Sequence, residues 1–351
     1  MDVSVITVNT NEKHRLINFL PSIFSTRGHF ELIISDNGST DGSSEYVKKN
    51  FPRARIIENG KNLGFVLANN FAAQSSKADI LVFINPDTTV DPFWLENLLE
   101  PFSDQNVGLT TSKILLMGSR DKINTCGNTL HISGITQCRG INEPAEKFPL
   151  KEEVSAVSGA AFAIRRSLFE KLGGFDADFF IYMEETDLSF RARLLGYKCI
   201  YVPNSIVYHD YILRFGAKKV FYQERNRYLM LIKSLEWHTL ILMIPILFFT
   251  EFITWGFVVL HDRKNFRNKL LAYVWIIKNW GLIMKKRNSV KRDKIVNDRV
   301  LLSSADYRIN FSQIVQTSYS VIPQFIFNGI FLMLRATLLK VLSFVENRAR
   351  C

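Results

Sequence analysis

Acidic residues follow apolar runs in the first half of the chain, and these runs alternate with helical segments. Residues 31–35 and 80–84 have the length and residue types of buried strands; Asp36 follows the first and Asp87 stands three residues beyond the second. A third acidic position, Glu184-Glu185, opens a helical pattern. The alternation predicts βαβ units and a parallel sheet. Such a sheet brings the three positions to its ligand-binding edge.

The α/β pattern extends over about 200 residues. A helix is predicted between most of the successive strands, and the strands are predicted at 3–8, 31–35, 54–57, 80–84, 107–115, 154–164 and 198–202. The stretch 118–150 has no clear periodicity and is rich in Gly and Pro. A loop of this length in a compact domain is usually functional or disordered.

Charge divides the chain into an acidic and a basic part. Residues 1–215 hold 22 Lys+Arg and 25 Asp+Glu, whereas the remainder holds 44 − 22 = 22 and 33 − 25 = 8, a net charge of +14. Such a basic segment indicates an anionic partner. We predict three regions: a catalytic domain at 1–215, an amphipathic connecting helix at 216–236 and a basic, apolar helical region at 237–351.

Two apolar segments indicate that the last region associates with a membrane. Residues 238–260 are long enough to span a bilayer, but Glu251 near their middle makes insertion costly. Residues 322–344 contain Arg335 and Lys340, which suit a helix lying in the interface plane. The basic stretch 262–299 between them predicts attachment to an anionic leaflet. Whether the protein is peripheral or inserts one or two of these helices is left open.

Six short motifs follow one another in the first 210 residues. They are Asp36-Asn37-Gly38-Ser39, Asn62-Leu63-Gly64-Phe65, Asn85-Pro86-Asp87, Ser158-Gly159-Ala160, Glu184-Glu185-Thr186-Asp187-Leu188 and Tyr208-His209. Residues 3–233 thereby resemble the family 2 glycosyltransferases, especially their rhamnosyltransferase-like bacterial members. The resemblance implies a GT-A nucleotide-diphospho-sugar transferase fold, with a Rossmann-like, mostly parallel mixed sheet. It also implies an inverting, metal-assisted enzyme of cell-envelope polysaccharide biosynthesis.

The resemblance assigns the first strand ends to the nucleotide. The Asp36 carboxylate would accept a hydrogen bond from N3 of uracil or thymine, and Gly38 would let the backbone approach the ligand. We therefore expect a UDP- or dTDP-sugar donor. The alternative is that Asp36 only caps the next helix. The expected nucleotide-binding residues are Thr7, Asn9, Asp36, Asn37, Gly38, Asn62, Gly64, Asn70 and Asn85.

Asn85-Pro86-Asp87 stands where many GT-A enzymes carry Asp-x-Asp. One carboxylate remains, which is enough for Mg2+ or Mn2+ if substrate phosphates supply further ligands. The resemblance places His209 where GT-A enzymes often supply a third metal or diphosphate contact, and we assign it to the metal. A simple turn at Pro86-Asp87 and a structural role for His209 are the alternatives.

The catalytic base is expected in the Glu184-Glu185 pair. An acceptor hydroxyl must lose its proton as it attacks the anomeric carbon, and the family motif maps this role onto Glu185, with Glu184 in contention. The alternative is that these acids only stabilise a helix N-terminus. Gly159 and Ala160 would leave room for a sugar, and Arg225 could close over the diphosphate. The acceptor would be a lipid-linked or cell-surface saccharide at the cytoplasmic face of the membrane.

Two other classes of protein share some of these features. A sugar nucleotidyltransferase would need a Gly-rich loop after the first strand, where this chain has Asn9-Thr10-Asn11-Glu12. A nucleic-acid-binding protein would use the basic C-terminal part. Because apolar segments flank that part, lipid is favoured and no nucleic-acid partner is expected.

Overall fold

The computed structural model describes residues 1–211, 217–310, 313 and 321–348. The chain forms two compact units, of which the first, the sheet unit, comprises Met1–Asn128 and Cys138–Leu213. The second, the helical unit, comprises Thr129–Gln137 and Arg214–Cys351. The predicted boundary at 215/216 lies outside the described residues.

A mixed sheet of ten strands organises the sheet unit, in the order β10-β12-β6-β11-β4-β1-β2-β3, with β5 beside β12 and β7 beside β6. β1 to β4, β6 and β12 run in one direction, and β11 lies antiparallel between β4 and β6. The predicted α/β class is confirmed. The strands of this sheet are β1 Val3–Asn9, β2 Glu31–Asp36, β3 Ala54–Glu58, β4 Ile80–Ile84, β5 Thr88–Val90, β6 Val107–Leu116, β7 Ser119–Thr125, β10 Glu152–Glu153, β11 Ala161–Arg165 and β12 Lys198–His209. β8 Asn128–Leu130 and β9 Thr136–Cys138 pair with each other in a separate two-stranded sheet.

Helices cover this sheet and close its hydrophobic core. The central strand β4 is buried along its whole length, as its uninterrupted apolar sequence requires. α1 buries Leu16, Phe19, Leu20 and Ile23, one stripe at helical spacing. The helices are α1 Lys13–Phe24, α2 Ser43–Asn50, α3 Gly64–Ser75, α4 Trp94–Leu99, α5 Arg166–Lys171 and α6 Glu184–Leu194.

Two stretches differ from the sequence-based prediction. The stretch 118–150 contains β7, β8 and β9, where a loop was expected. The predicted strand 154–164 is reduced to β11, because Ala156 exchanges backbone hydrogen bonds with Asn128 and Ser158 N donates to the Thr111 hydroxyl. Val157 N also donates to the Ser189 hydroxyl, and Gly159 lies against the Glu185 side chain, so this segment contacts α6.

Seven helices are described in the helical unit. The apolar segment 238–260 divides into two of them, because the Pro245 ring is incompatible with a continuous helix through Ile241. By length and composition, Ile244–His261 and Gln324–Glu346 are the candidate membrane spans among the described residues. The helices are α7 Ala217–Ser234, α8 Trp237–Leu242, α9 Ile244–His261, α10 Phe266–Lys278, α11 Trp280–Asp293, α12 Asp298–Ser303 and α13 Val321–Arg348.

Candidate active site

The carboxyl ends of β1 and β2 form the first part of the site. Asn9 and Asp36 are register partners, and Asn9 Nδ2 donates to Asp36 Oδ1 over 2.6 Å. The second Asp36 oxygen accepts from the backbone N–H of Ser39 at 2.9 Å. Both side chains are buried, and so is Thr7, two residues before Asn9 on the same face of β1. Asp36 is therefore held at the strand end by the loop that follows it.

Glycines bring neighbouring loops against this strand end. Gly38 has φ +71°, and a Cβ there would stand 3.0 Å from the backbone of Lys61. Gly64 has φ +78°, and a Cβ would stand 2.8 Å from the Phe180 ring. Only glycine fits both constraints, which explains these two motif positions.

The predicted Asn residues around Gly64 have partners in the loops. Asn62 Oδ1 accepts from Gly64 N at 2.8 Å, and Asn37 Nδ2 donates to Gly64 O at 3.2 Å. Asn70 bonds both the N–H and the C=O of Phe175, at 3.0 and 2.9 Å. The Asn70 side chain thus fixes the segment that leads to α6, while a direct nucleotide contact stays a prediction.

Asp87 and His209 come together at the next strand ends. His209 Nε2 lies 3.3 Å from Asp87 Oδ1, and His209 Nδ1 lies 2.9 Å from Asn124 Oδ1. Arg15 on α1 approaches the other Asp87 oxygen at 3.3 Å. Burial alone would raise the pKa of Asp87, but the nearby His209 side chain and the charge of Arg15 hold it below its usual value. Asp87 is thus an anion in a nearly closed site.

Asp87 and His209 suit a divalent cation that takes its other ligands from the phosphates of a bound substrate. Asp87 Oδ1 is buried without a hydrogen-bond partner and faces the imidazole nitrogen of His209. Among the described residues, no group of three or more His, Cys, Asp or Glu side chains could hold a metal. Asp87 and His209 would therefore supply two ligands, and a diphosphate and water the others.

A strained turn presents the acidic pair of α6. Phe180, Tyr182 and Met183 have φ of +62°, +68° and +66°, which bulky residues seldom adopt. Their backbone lets α6 begin at Glu184, so that both acids occupy its first turn. Backbone strain of this kind is concentrated at functional sites.

Glu185 lies against the small-residue segment. Its carboxylate carbon would be 3.4 Å from a Cβ at Gly159, and its Oε1 accepts from Asn128 Nδ2 at 3.1 Å. The next residue, Ala160, accepts at its carbonyl from Asn85 N at 3.0 Å. The turn Asn85-Pro86-Asp87 is therefore linked to Glu185 through Ala160 and Gly159.

The two acids differ in their surroundings. Glu184 is 6% exposed, and its Oε2 has no hydrogen-bond partner, whereas Glu185 is only partly buried and has donors. Desolvation and the neighbouring Glu185 raise the pKa of Glu184 well above its ordinary value. Desolvation also raises the pKa of Glu185, although the hydrogen bonds from the protein oppose this. Of the two, Glu185 is the better proton acceptor at neutral pH.

Arg225 belongs to the helical unit, where its guanidinium packs over the rings of Tyr222 and Trp275 at 4.9 and 4.7 Å. Its predicted role at the diphosphate stays a prediction. Sequence reasoning missed Arg15, Asn124 and Asn128, which hold Asp87, His209 and Glu185. Asn124 and Asn128 stand four positions apart in the stretch 118–150, and this pair of amides was the only hint of a polar site that we see there in the sequence.

Comparisons with known proteins agree with this geometry. A family model described as glycosyl transferase family 2 matches residues 4–173. An N-acetylglucosaminyl-diphospho-decaprenol L-rhamnosyltransferase of Mycobacterium tuberculosis is 28% identical over 229 residues, which are 58% of this chain and 75% of that protein. An uncharacterised Sinorhizobium fredii protein is 25% identical over 194 residues, 52% of this chain.

The fold is shared with the crystal structure of GalNAc-T7 with UDP, GalNAc and Mn2+. Its TM-score is 0.56 at 22% identity, and the match covers 68% of this chain and 48% of that one. The chain thus spans about half of GalNAc-T7 and 21% of the Sinorhizobium protein.

Proposed function

Because the chain belongs to the family 2 glycosyltransferases, with the domain of that family at residues 4–173, we propose that it transfers a sugar from a UDP- or dTDP-sugar to a saccharide acceptor. The transfer is a single displacement with inversion at the anomeric carbon. Membership of this family favours sugar transfer over the nucleotidyltransferase and nucleic-acid-binding alternatives.

The observation that carries this proposal is the contact path between the Asp87 turn and Glu185. Asn85 N bonds Ala160 O, and Gly159 lies against the Glu185 carboxylate. A donor diphosphate beside Asp87 and an acceptor hydroxyl beside Glu185 would therefore share one site. Proximity of this kind is the main requirement of a displacement reaction.

Each group has a role that its surroundings support. Asp36, fixed by Asn9 and Ser39, reads the base of the nucleotide. Asp87 and His209 would hold Mg2+ or Mn2+, which neutralises charge on the departing diphosphate. Glu185 Oε2 takes the proton of the acceptor hydroxyl, since Asn128 and Thr186 hold Oε1.

A lipid-linked saccharide is the acceptor class that we propose. The printed name of the mycobacterial relative describes rhamnosyl transfer to N-acetylglucosaminyl-diphospho-decaprenol, a lipid-linked sugar. The basic, apolar C-terminal region supports a place at the cytoplasmic face of the cell membrane, where such acceptors and soluble nucleotide sugars meet. The proposed pathway class is polysaccharide biosynthesis for the cell envelope.

Nucleotide-induced thermal stabilisation tests the proposal first. UDP, dTDP and GDP are each added with and without Mn2+, and a nucleotide that binds only the folded protein raises Tm. We expect UDP or dTDP to act, more strongly with Mn2+, and Asp87→Asn to lose the metal-dependent part. Asp91→Asn is the matched control, because Asp91 Oδ1 accepts from Phe93 N in an exposed turn.

Transfer itself is then measured with radiolabelled UDP- and dTDP-sugars and a polyprenyl-diphosphate N-acetylglucosamine acceptor. A product whose anomeric configuration is opposite to that of its nucleotide-sugar donor supports inversion. No nucleotide binding, or transfer that survives in Glu185→Gln and Glu184→Gln alike, contradicts the proposal.

A further inference from the structure

One side of α9 is apolar and exposed. Ile244, Phe248, Phe252 and Val259 are 58%, 66%, 65% and 42% exposed, and they follow one another at helical spacing. A continuous stripe of this kind on a soluble surface marks a site of interaction. The stripe runs along the first candidate membrane span.

The same pattern continues on α10, now with cations at its ends. Leu270, Leu271, Val274 and Ile277 are exposed along one face of this helix. The exposed cations Arg267 and Lys278 stand before and after them in the helix. On α11, Leu282, Lys285 and Arg292 are exposed on one helical stripe. Apolar side chains flanked by cations are typical of helices that lie in a membrane interface.

Glu251, near the middle of α9, is only partly buried and lies next to the exposed stripe, whereas the side of α9 opposite the stripe buries Ile246, Thr250 and Ile253. Glu251 receives Arg227 Nη2 from α7 at 2.5 Å and Lys269 Nζ from α10 at 3.1 Å. The hydroxyls of Tyr228 and Tyr273 also donate to its carboxylate. The middle of α9 is therefore held by charged groups of its two neighbours.

This network is incompatible with a transmembrane α9. α10 has 13 residues, a rise of about 20 Å, which is shorter than the hydrocarbon core. If α9 crossed the bilayer, Glu251 would carry Arg227 and Lys269 to its centre, where charges are costly. α13 has the same feature, because Arg335 in its middle donates to the carbonyls of Ala305 and Ser303.

We propose that the helical unit binds an anionic bilayer from one side, with α9, α10 and α13 lying in the plane of the interface. Its occupant is lipid with anionic headgroups, because the C-terminal part has a net charge of +14 and the exposed apolar stripes are bordered by cations. The inference sharpens the membrane location proposed above. It is tested without nucleotide or acceptor, so that its failure leaves the transfer reaction standing.

Vesicle flotation of the full-length protein measures how tightly the helical unit binds lipid. Vesicles of phosphatidylcholine alone are compared with vesicles containing 30% phosphatidylglycerol, about a third anionic lipid as in charged leaflets. We expect tight binding only with the anionic lipid. Phe248→Ser/Phe252→Ser should weaken it at least tenfold, because buried aromatic area is lost.

The matched control is Ile17→Ser/Phe71→Ser, which changes two exposed apolar residues of the sheet unit and should leave flotation unchanged. Equal flotation of both double variants and the wild type would overturn the proposal. So would a stable dimer in solution that Phe248→Ser/Phe252→Ser dissociates while vesicles remain unbound, because a second copy would then cover the stripe.

Sidedness distinguishes lying in the interface from spanning. His238→Cys and His261→Cys, at the two ends of the apolar stretch, are each made with Cys138 and Cys351 replaced by Ser. A membrane-impermeant maleimide is applied to inverted vesicles and to right-side-out spheroplasts. Labelling of both cysteines in inverted vesicles only is expected; labelling from opposite sides would overturn the in-plane arrangement.

Discussion

The two units of this chain place apolar and charged side chains in opposite ways. Of 28 large apolar side chains exposed among the described residues, seven lie in the sheet unit and 28 − 7 = 21 in the helical unit. The helical unit also buries Lys233, Lys269, Arg227 and Arg287. A unit that exposes apolar groups and buries cations is not adapted to water on every side.

In the sheet unit, most of the buried acids belong to the candidate site. Its buried acids are Asp36, Glu184 and Asp187, of which two belong to the candidate site and the third pairs with Arg191 at 2.8 Å. On the two proposals made above, buried acids of the sheet unit would serve the reaction, whereas buried charges of the helical unit hold together helices that would meet lipid. Five experiments test this division.

The largest effect is expected from Glu185→Gln. Removing the base should lower kcat about 1000-fold, within the range of general-base catalysis, while vesicle binding stays unchanged. Single-turnover transfer and flotation check the two units separately. A loss of lipid binding in this variant would break the division between them.

Glu251→Gln should destabilise the helical unit by about 3 kcal/mol, because it leaves Arg227 and Lys269 undercompensated in a buried network. Hydrogen exchange of α9 and α10 amides measures the change locally. Asp187→Asn is the counterpart, since it breaks the Asp187–Arg191 pair of the sheet unit. Faster exchange in α6 of Glu251→Gln, or in α9 of Asp187→Asn, would show that the units are not independent.

Asp87→Asn should lower transfer about 100-fold, since an amide is a weaker ligand for Mg2+ or Mn2+ than a carboxylate. Raising the Mn2+ concentration should restore part of the rate. The readout is transfer rate against metal concentration, with Asp91→Asn as control. An unchanged metal dependence would remove Asp87 from the metal site.

Asn128→Ala should lower kcat/KM about tenfold on the acid side of the profile, because a hydrogen bond that favours the Glu185 carboxylate is lost. The pKa of Glu185 rises when this donor is removed, so the acid limb moves to higher pH. The pH dependence of kcat/KM measures it, and Asn128→Ser, which keeps a donor, should restore part of the shift. A uniform decrease at all pH values would indicate a merely structural role.

Glu184→Gln is expected to have the smallest effect, a small gain in stability at neutral pH, because the raised pKa of Glu184 means that its ionised form is unfavourable in the folded protein. The pKa of Glu184 is raised in the folded protein, so the unfolded chain binds fewer protons and stability falls as pH rises through that pKa. The variant should flatten this fall in urea melts between pH 5 and pH 8. A less stable variant at neutral pH would mean that the ionised carboxylate has an undetected partner.

Much of the candidate site could be predicted because it follows local patterns. Asp36 ends a strand and Glu184-Glu185 open a helix, as the periodicity indicates. The stretch 118–150 could not be predicted, because β7 pairs with β6 through two shifts of register, β8 and β9 have three residues each, and an isolated bridge joins Asn128 to the distant Ala156. Pairing of that kind leaves no periodic signal in one sequence.

The sequence alone determined the α/β alternation, the acidic strand ends and the basic, apolar C-terminal part, because each depends on residue type and local spacing. It left open whether the apolar segment with Glu251 spans a bilayer, and it did not reveal that Asn128 holds Glu185. Only the tertiary structure decided which side chains pair: Glu251 with Arg227 and Lys269, and Glu185 with the Asn128 amide. The physical reason is that burial and pairing depend on side chains distant in the chain, and these set the energy of a charge.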